Sequence, residues 1–158
     1  MDTQTKKTAL RMFSYGLYVI TSRTESDRSA FLANWVSQCS FEPPMLMLAV
    51  EQEAHSLKVI RQSGRLAVNV LESGQRELAG WFGRHHDKVG DKLVNRELNT
   101  SPGGLPLLPE ALSWVEGKVV GQMPAGDHVL LVAEVVEAGV VREGVALPLK
   151  ETGFRYAG

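Results

Sequence analysis

Five groups of residues in this sequence have the types and spacing to do chemistry. Asn34 and Gln38 stand four apart in residues 30–44 (AFLANWVSQCSFEPP), which end in the paired prolines Pro43 and Pro44. In an extended chain Ser29, Phe31, Ala33, Trp35 and Ser37 point one way and Ala30, Leu32, Asn34, Val36 and Gln38 the other, so both faces mix apolar and polar groups. Such a strand, stopped by a rigid proline loop, lines something polar rather than a dry core alone. Ser56 follows Glu53 by three at the start of a helical period, where exposed N–H groups and the helix dipole can hold a phosphate. An ordinary N-cap fits the same serine. His128 follows Gly126-Asp127 at the mouth of a long apolar stretch, where an imidazole can donate to a ligand; a turn followed by a strand-opening histidine is the plainer reading. Trp81 and Phe82 precede Gly83 and read as core, with one ring able to pack on a flat ligand.

The fifth group reads differently. His85-His86-Asp87 has the atoms for a metal site, but adjacent histidines diverge on any regular backbone and no further Cys or His stands at zinc-ligand spacing, so a solvated loop is expected there. Cys39 has no Lys or His beside it and reads as a packed residue rather than a nucleophile. Phosphate-loop, Gly-x-Gly-x-x-Gly and Gly-x-Ser-x-Gly motifs are absent.

The 158 residues fit one domain, 1–158. Seventeen Lys plus Arg balance eighteen Asp plus Glu without runs of like charge, which argues against nucleic-acid or anionic-membrane partners. One cysteine excludes an intrachain disulfide framework and suits a reducing cytoplasm, the expected location. No apolar run follows the first lysines as in a secretory signal, and none approaches membrane-spanning length.

The elements that must position these residues follow from periodicity. Residues 8–14 suit a short amphipathic helix closed by Gly16 in a left-handed cap, and residues 17–21 a strand returning through a polar turn at 24–27 into the strand that begins at Ala30. Residues 45–50 read as a buried strand and the helix opening at Ser56 as stopped by Gly64. A strand at 66–71 and a helix from 75 to 82 come next, then a long irregular crossing to Pro109 with one helical turn near 88–93. Strands at 113–123, 128–137, 140–142 and 145–149 predict a β-meander, followed by a tail at 151–158 whose order depends on docking. The expected class is mainly β with short helices, an antiparallel barrel or rolled sheet plugged by those helices.

Five segments in register resemble a known family: YGLYVIT at 15–21, ANWVSQCSFEPP at 33–44, AVNVL at 67–71, LAGWFG at 78–83 and GDH at 126–128. Together they are similar to the flavin-reductase-like family of FMN-binding split barrels. The first two are nearest to the flavin domains of high-molecular-weight rubredoxins and to reductase domains fused to diiron flavoproteins. The resemblance implies an antiparallel split β-barrel and a homodimer with FMN, or FAD, in a groove near the subunit interface. It also implies reduction by NADH or NADPH, with the electrons passing to a redox-protein acceptor or to free flavin.

Carried over by position, Asn34, Trp35 and Gln38 would supply side-chain contacts to the flavin, and Leu32, Cys39 and Ser40 mostly backbone ones. Ser56 would meet the phosphate, Phe82 would pack beside the ring, and His128, the catalytic candidate, would border the nicotinamide side. Many stand-alone reductases have Thr-Gly-Val where this chain has Tyr15-Gly16-Leu17, and Ser in place of Gln38, departures that favour bound FMN over an exchanging substrate. Two other activities share the expected fold: an electron-transfer flavoprotein module without NAD(P)H activity, and a non-catalytic flavin- or haem-binding split barrel.

Overall fold

In the computed structural model, which describes residues 1–156, seven antiparallel strands form one rolled sheet in the order β2-β1-β5-β8-β9-β4-β3. The strands are β1 (Tyr18–Arg23), β2 (Arg28–Ala33), β3 (Val36–Phe41), β4 (Pro44–Glu51), β5 (Arg65–Val70), β8 (Ser113–Ala125) and β9 (His128–Val140). Two-residue strands β6 (Asn99–Thr100) and β7 (Pro106–Leu107) pair separately within the long crossing. Helices α1 (Thr3–Arg11), α2 (His55–Ser63), α3 (Arg76–Phe82), α4 (His86–Val89) and α5 (Leu149–Thr152) surround the roll.

Residues 30–44 are two strands rather than one. The chain breaks at Asn34-Trp35, and β2 and β3, consecutive in sequence, become the first and last strands of the sheet. This corner is where the roll folds back on itself, and it is pinned by the amide of Ala49 donating to the carbonyl of Trp35 at 3.1 Å. The mixed faces of the stretch have a physical reason here: half of it belongs to each edge, and the corner residues face the opening between them.

β1 and β5 are covered on both sides, which accounts for their nearly continuous apolar sequence. Ile20 and Val68 pack inward with Leu57 and Ile60 of α2, whereas Val19 packs outward with Ala79 and Phe82 of α3. Each fully buried branched or aromatic side chain of this kind contributes roughly 1.5–3 kcal/mol. Asn69 ties the layers together: its Nδ2 donates to the carbonyl of Val19 at 3.0 Å and its Oδ1 accepts from the amide of Leu108 at 2.9 Å, with no exposure.

Several expected boundaries move. α1 starts five residues before the expected helix because Asp2 caps it, accepting from the amide of Thr5 at 2.7 Å, and Gly16 bridges to Pro148 instead of capping a helix. β4 is half-buried rather than enclosed: Leu48 and Val50 face the core, while Met45, Met47 and Ala49 face outward beside Leu130 and Val132 of β9. The helical turn in the crossing forms at His86–Val89. After β9 the meander does not continue, and residues 141–148 contribute only the isolated bridges Glu72 to Ala146 and Gly16 to Pro148. Residues 157–158 of the tail lie outside the described residues. Among the described residues no helix is long and apolar enough to cross a membrane.

Candidate functional site

Six of the nine candidate residues named from the sequence line one cavity of about 500 Å³: Leu32, Asn34, Trp35, Ser56, Phe82 and His128. The chain reaches it from five directions. β2 brings Leu32, the corner brings Asn34 and Trp35, α2 brings Ser56, α3 brings Phe82, and the β8–β9 turn brings His128, with Gly126 at φ +67° making the reversal that aims it. Gln38, Cys39 and Ser40 do not line it. They lie along β3, where the Gln38 amide donates to the carbonyl of Ser40 at 3.0 Å around an irregularity in the β3–β4 ladder. Cys39 is exposed, not packed, because β3 is an edge strand with that side chain on its outer face.

Ser56 is not the N-cap expected from sequence. Ala54 occupies that position without a side-chain bond, so the first-turn N–H groups of α2 have no side-chain acceptor, and Ser56 sits inside the first turn with 7% exposure. At the other end Gly64, at φ +67°, closes the helix as expected. His55, the first residue of α2, stacks flat on His86 of α4 with ring centroids 3.8 Å apart, and both line the cavity. The loop histidine is therefore part of the wall. Phe82 forms its wall from within the core: it has no exposure, and the Arg96 guanidinium lies 5.4 Å from its ring centre.

Four wall residues carry no signal in the sequence. Lys92, 4% exposed, donates from Nζ to the carbonyl of Phe82 at 2.8 Å, and burial lowers its pKa to about 8. A single lysine in an irregular loop gives no hint of this enclosure. Glu51 stands directly opposite His128 across the β4–β9 ladder, a pairing visible only once the register is known. His55 becomes visible only when α4 folds over α2. Tyr156, beyond the last regular element, packs at a tilt against Trp35 with centroids 5.4 Å apart and the rings at 53°, and donates from its hydroxyl to Glu51 Oε1 at 2.7 Å. Its hydroxyl also lies 3.2 Å from His128 Nε2, and its carbonyl accepts from Asn34 Nδ2 at 2.9 Å. Burial, and secondarily the bond to Glu51, raises the Tyr156 pKa, so the phenol keeps its proton.

His128 is held from both sides, since Nδ1 also lies 2.6 Å from Asp127 Oδ1. The hydrogen bond from His128, followed by its charge, lowers the Asp127 pKa and keeps that carboxylate ionised. The imidazole therefore presents Nδ1–H to Asp127. Trp35 packs on the same ring with centroids 4.9 Å apart. The cavity thus joins an apolar slot lined by Leu17, Leu32, Phe82 and Leu149 to donors from Lys92, Asn34 and the α2 N-terminus. Such a volume and lining suit a flat ligand with polar edges and an anionic end.

Comparison with known proteins gives the same direction. A family model described as a flavin reductase like domain matches residues 10–157. Diflavin flavoprotein A 1 of Synechocystis sp. is 30% identical over 99% of this chain, which spans 28% of that protein. The ferric-chelate reductase (NAD(P)H) of Archaeoglobus fulgidus is 31% identical over 88% of this chain and 83% of its own length. The solved structure of the flavin reductase PheA2 superposes with a TM-score of 0.81, at 26% identity and with all of both chains covered. The split-barrel fold and the match over nearly the whole sequence place this chain in the flavin reductase-like family.

Proposed function

We propose that the cavity binds FMN, with FAD as the larger alternative, and that the protein passes reducing equivalents from NADH or NADPH through the flavin to a protein acceptor or to free flavin. The observation that carries this reading is the convergence, in one cavity of about 500 Å³, of an apolar slot, a buried ammonium, a helix N-terminus and an imidazole held at both nitrogens. The donor set fits a flavin: Lys92 has two ammonium protons beyond the one given to Phe82, and the first turn of α2 has N–H groups without a side-chain acceptor. When bound, the flavin supplies the hydride-accepting ring. The protein's residues do the rest: Leu32 and Phe82 exclude water from the slot, Ser56 and the α2 N-terminus hold the phosphate, and Trp35 and His128 orient the nicotinamide side.

The outer face of β4, β8 and β9 supports a homodimer. Met47 and Met123 are exposed there, and Met45, Ala49, Leu130 and Val132 are half-buried on the same face. β3 borders this face, so pairing of two copies would bring Gln38, Cys39 and Ser40 toward a subunit interface. The family resemblance puts the flavin groove near such an interface and these residues against the flavin.

A second reading is favoured by one specific observation. Nearly the whole chain matches a segment that makes up 28% of a diflavin flavoprotein, which suits an electron-transfer module serving a larger redox assembly. Titration of the purified protein with FMN, followed by anaerobic mixing with NADH or NADPH, separates the readings. We expect flavin absorbance that comigrates with the protein and bleaches on mixing. Bound flavin that does not bleach would leave the module reading, and failure to bind FMN would sink both. His128→Ala should slow bleaching by about 100-fold, the low end of what a positioned proton donor contributes, while changing the FMN Kd less. The reverse pattern would remove its assigned role.

A further inference from the structure

Tyr156 touches three of the candidate site residues at once. Its ring packs at a tilt against Trp35, its carbonyl takes the Asn34 amide, and its hydroxyl lies between His128 and Glu51. The segment that carries it is anchored upstream: Arg76 Nε donates to the carbonyl of Thr152 at 2.8 Å, and its guanidinium lies 5.0 Å from the centre of the Phe154 ring. Asn34 and His128, both under 10% exposed, each direct a side-chain hydrogen bond at this one residue.

We propose that Tyr156 is a positioning residue for His128, fixing the plane of the imidazole and the direction of Nε2 within the cavity; the catalytic consequence of this rests on the flavin reading above. Asp127 alone is a poor guide for the ring, because its side chain is 93% exposed and hydrated. A second bond at the opposite nitrogen removes the rotation that one bond permits, and Trp35 closes the third side.

The proton inventory gives the hydroxyl a second property. Tyr156 has one hydroxyl proton and two acceptors in reach. When Nε2 carries a proton, Nε2–H donates to the phenolic oxygen and the hydroxyl donates to Glu51. When Nε2 is bare, the hydroxyl turns to it and the Glu51 contact loses its proton. Either way Nε2 keeps a partner, so the ring stays oriented whether it holds a proton or has given one away.

The test compares wild type with Y156F, H128A and the double variant, using the full chain. Ring 15N–1H NMR of the four histidines, with His128 assigned from H128A, reads the geometry without any flavin. We expect Y156F to shift and broaden the His128 Nε2 signal and to leave His55, His85 and His86 in place. An unchanged Nε2 signal would overturn the proposal. With FMN bound, Y156F should lower the rate of bleaching at saturating NADH or NADPH about tenfold, with the FMN Kd and the nicotinamide KM moving less than twofold. The double variant should be no slower than H128A. Multiplicative losses in the double variant would also overturn it, as would tighter nicotinamide binding in Y156A, which would make Tyr156 a plug rather than a guide. A shifted Nε2 signal in a protein that binds no FMN, or whose flavin does not bleach, upholds the positioning role and rejects the flavin reading instead. Y156F removes a single oxygen, so it remains informative where Y156A fails to fold.

Discussion

The ammonium of Lys92 donates to the carbonyl of Phe82, the last residue of α3, at 2.8 Å, and the residue is only 4% exposed. Burial lowers its pKa from the ordinary value of 10.5 to about 8. The folded state therefore resists the charged form, and the sign follows. Below about pH 8 both states carry the proton and the cost of burying it is fully present, whereas between about pH 8 and 10.5 the unfolded chain binds the proton and the folded one does not, so stability rises with pH. Lys92→Met should stabilise the flavin-free protein near neutral pH by roughly 1–3 kcal/mol and flatten this rise. It should also weaken FMN binding. Urea unfolding at pH 7 and at pH 10, with an FMN titration, checks both, and a variant that loses stability at pH 7 would refute the account.

Arg65 and Glu116 present the opposite situation. Glu116 has no exposure and receives Arg65 Nη1 at 2.8 Å and the amide of Gly103 at 3.0 Å, while Arg65 remains partly in solvent. Arg65→Leu leaves a buried carboxylate with one backbone donor, and should cost about 3 kcal/mol or more. The double variant Arg65→Leu with Glu116→Gln should recover part of that loss. Equal stability of wild type and the single variant in thermal melts would show that the pair is not the closure of β5 on β8 that the geometry describes.

Met47 and Met123 give the third prediction, which concerns assembly. Placing a charge on the outer face through Met47→Glu should leave the far-ultraviolet CD unchanged and convert a dimer to a monomer in sedimentation velocity, because the side chain is exposed in the isolated chain. If the wild-type protein sediments as a monomer, the homodimer proposal fails. Cys39, exposed on the neighbouring edge strand, then serves as a reporter: maleimide labelling should be slower in the wild type than in Met47→Glu.

How far the sequence carried the reading depends on the kind of information each element needs. β1 and α2, with its stop at Gly64, were legible because their signals are local, an apolar run or a helical period ended by glycine. The Asn34-Trp35 corner was not, since nothing in those two residues says that the sheet begins on one side of them and ends on the other. Ser56 marks a helix start in the sequence but not its own position within the helix, because Ala54 takes the cap without the usual hydroxyl. His128 and Trp35 were legible through family resemblance, which keeps residue order. Lys92, Glu51 and Tyr156 were not, because their roles arise from register and from a segment docking far from them in sequence, between which no periodicity runs.

The corner at Asn34-Trp35 also bears on the order of folding. Its two flanking strands occupy opposite edges of the sheet, so the corner closes only when β1, β5, β8, β9 and β4 stand between them, contacts that span most of the chain. Non-local pairing of this kind is slow. The wall of the cavity is thus among the last parts of the molecule to be completed, and a partly folded chain, however much sheet it has gained, has no site to offer. In refolding experiments, contact of Trp35 with His128, 4.9 Å apart in the finished fold, would then be a late event, separable from the earlier appearance of strand signal.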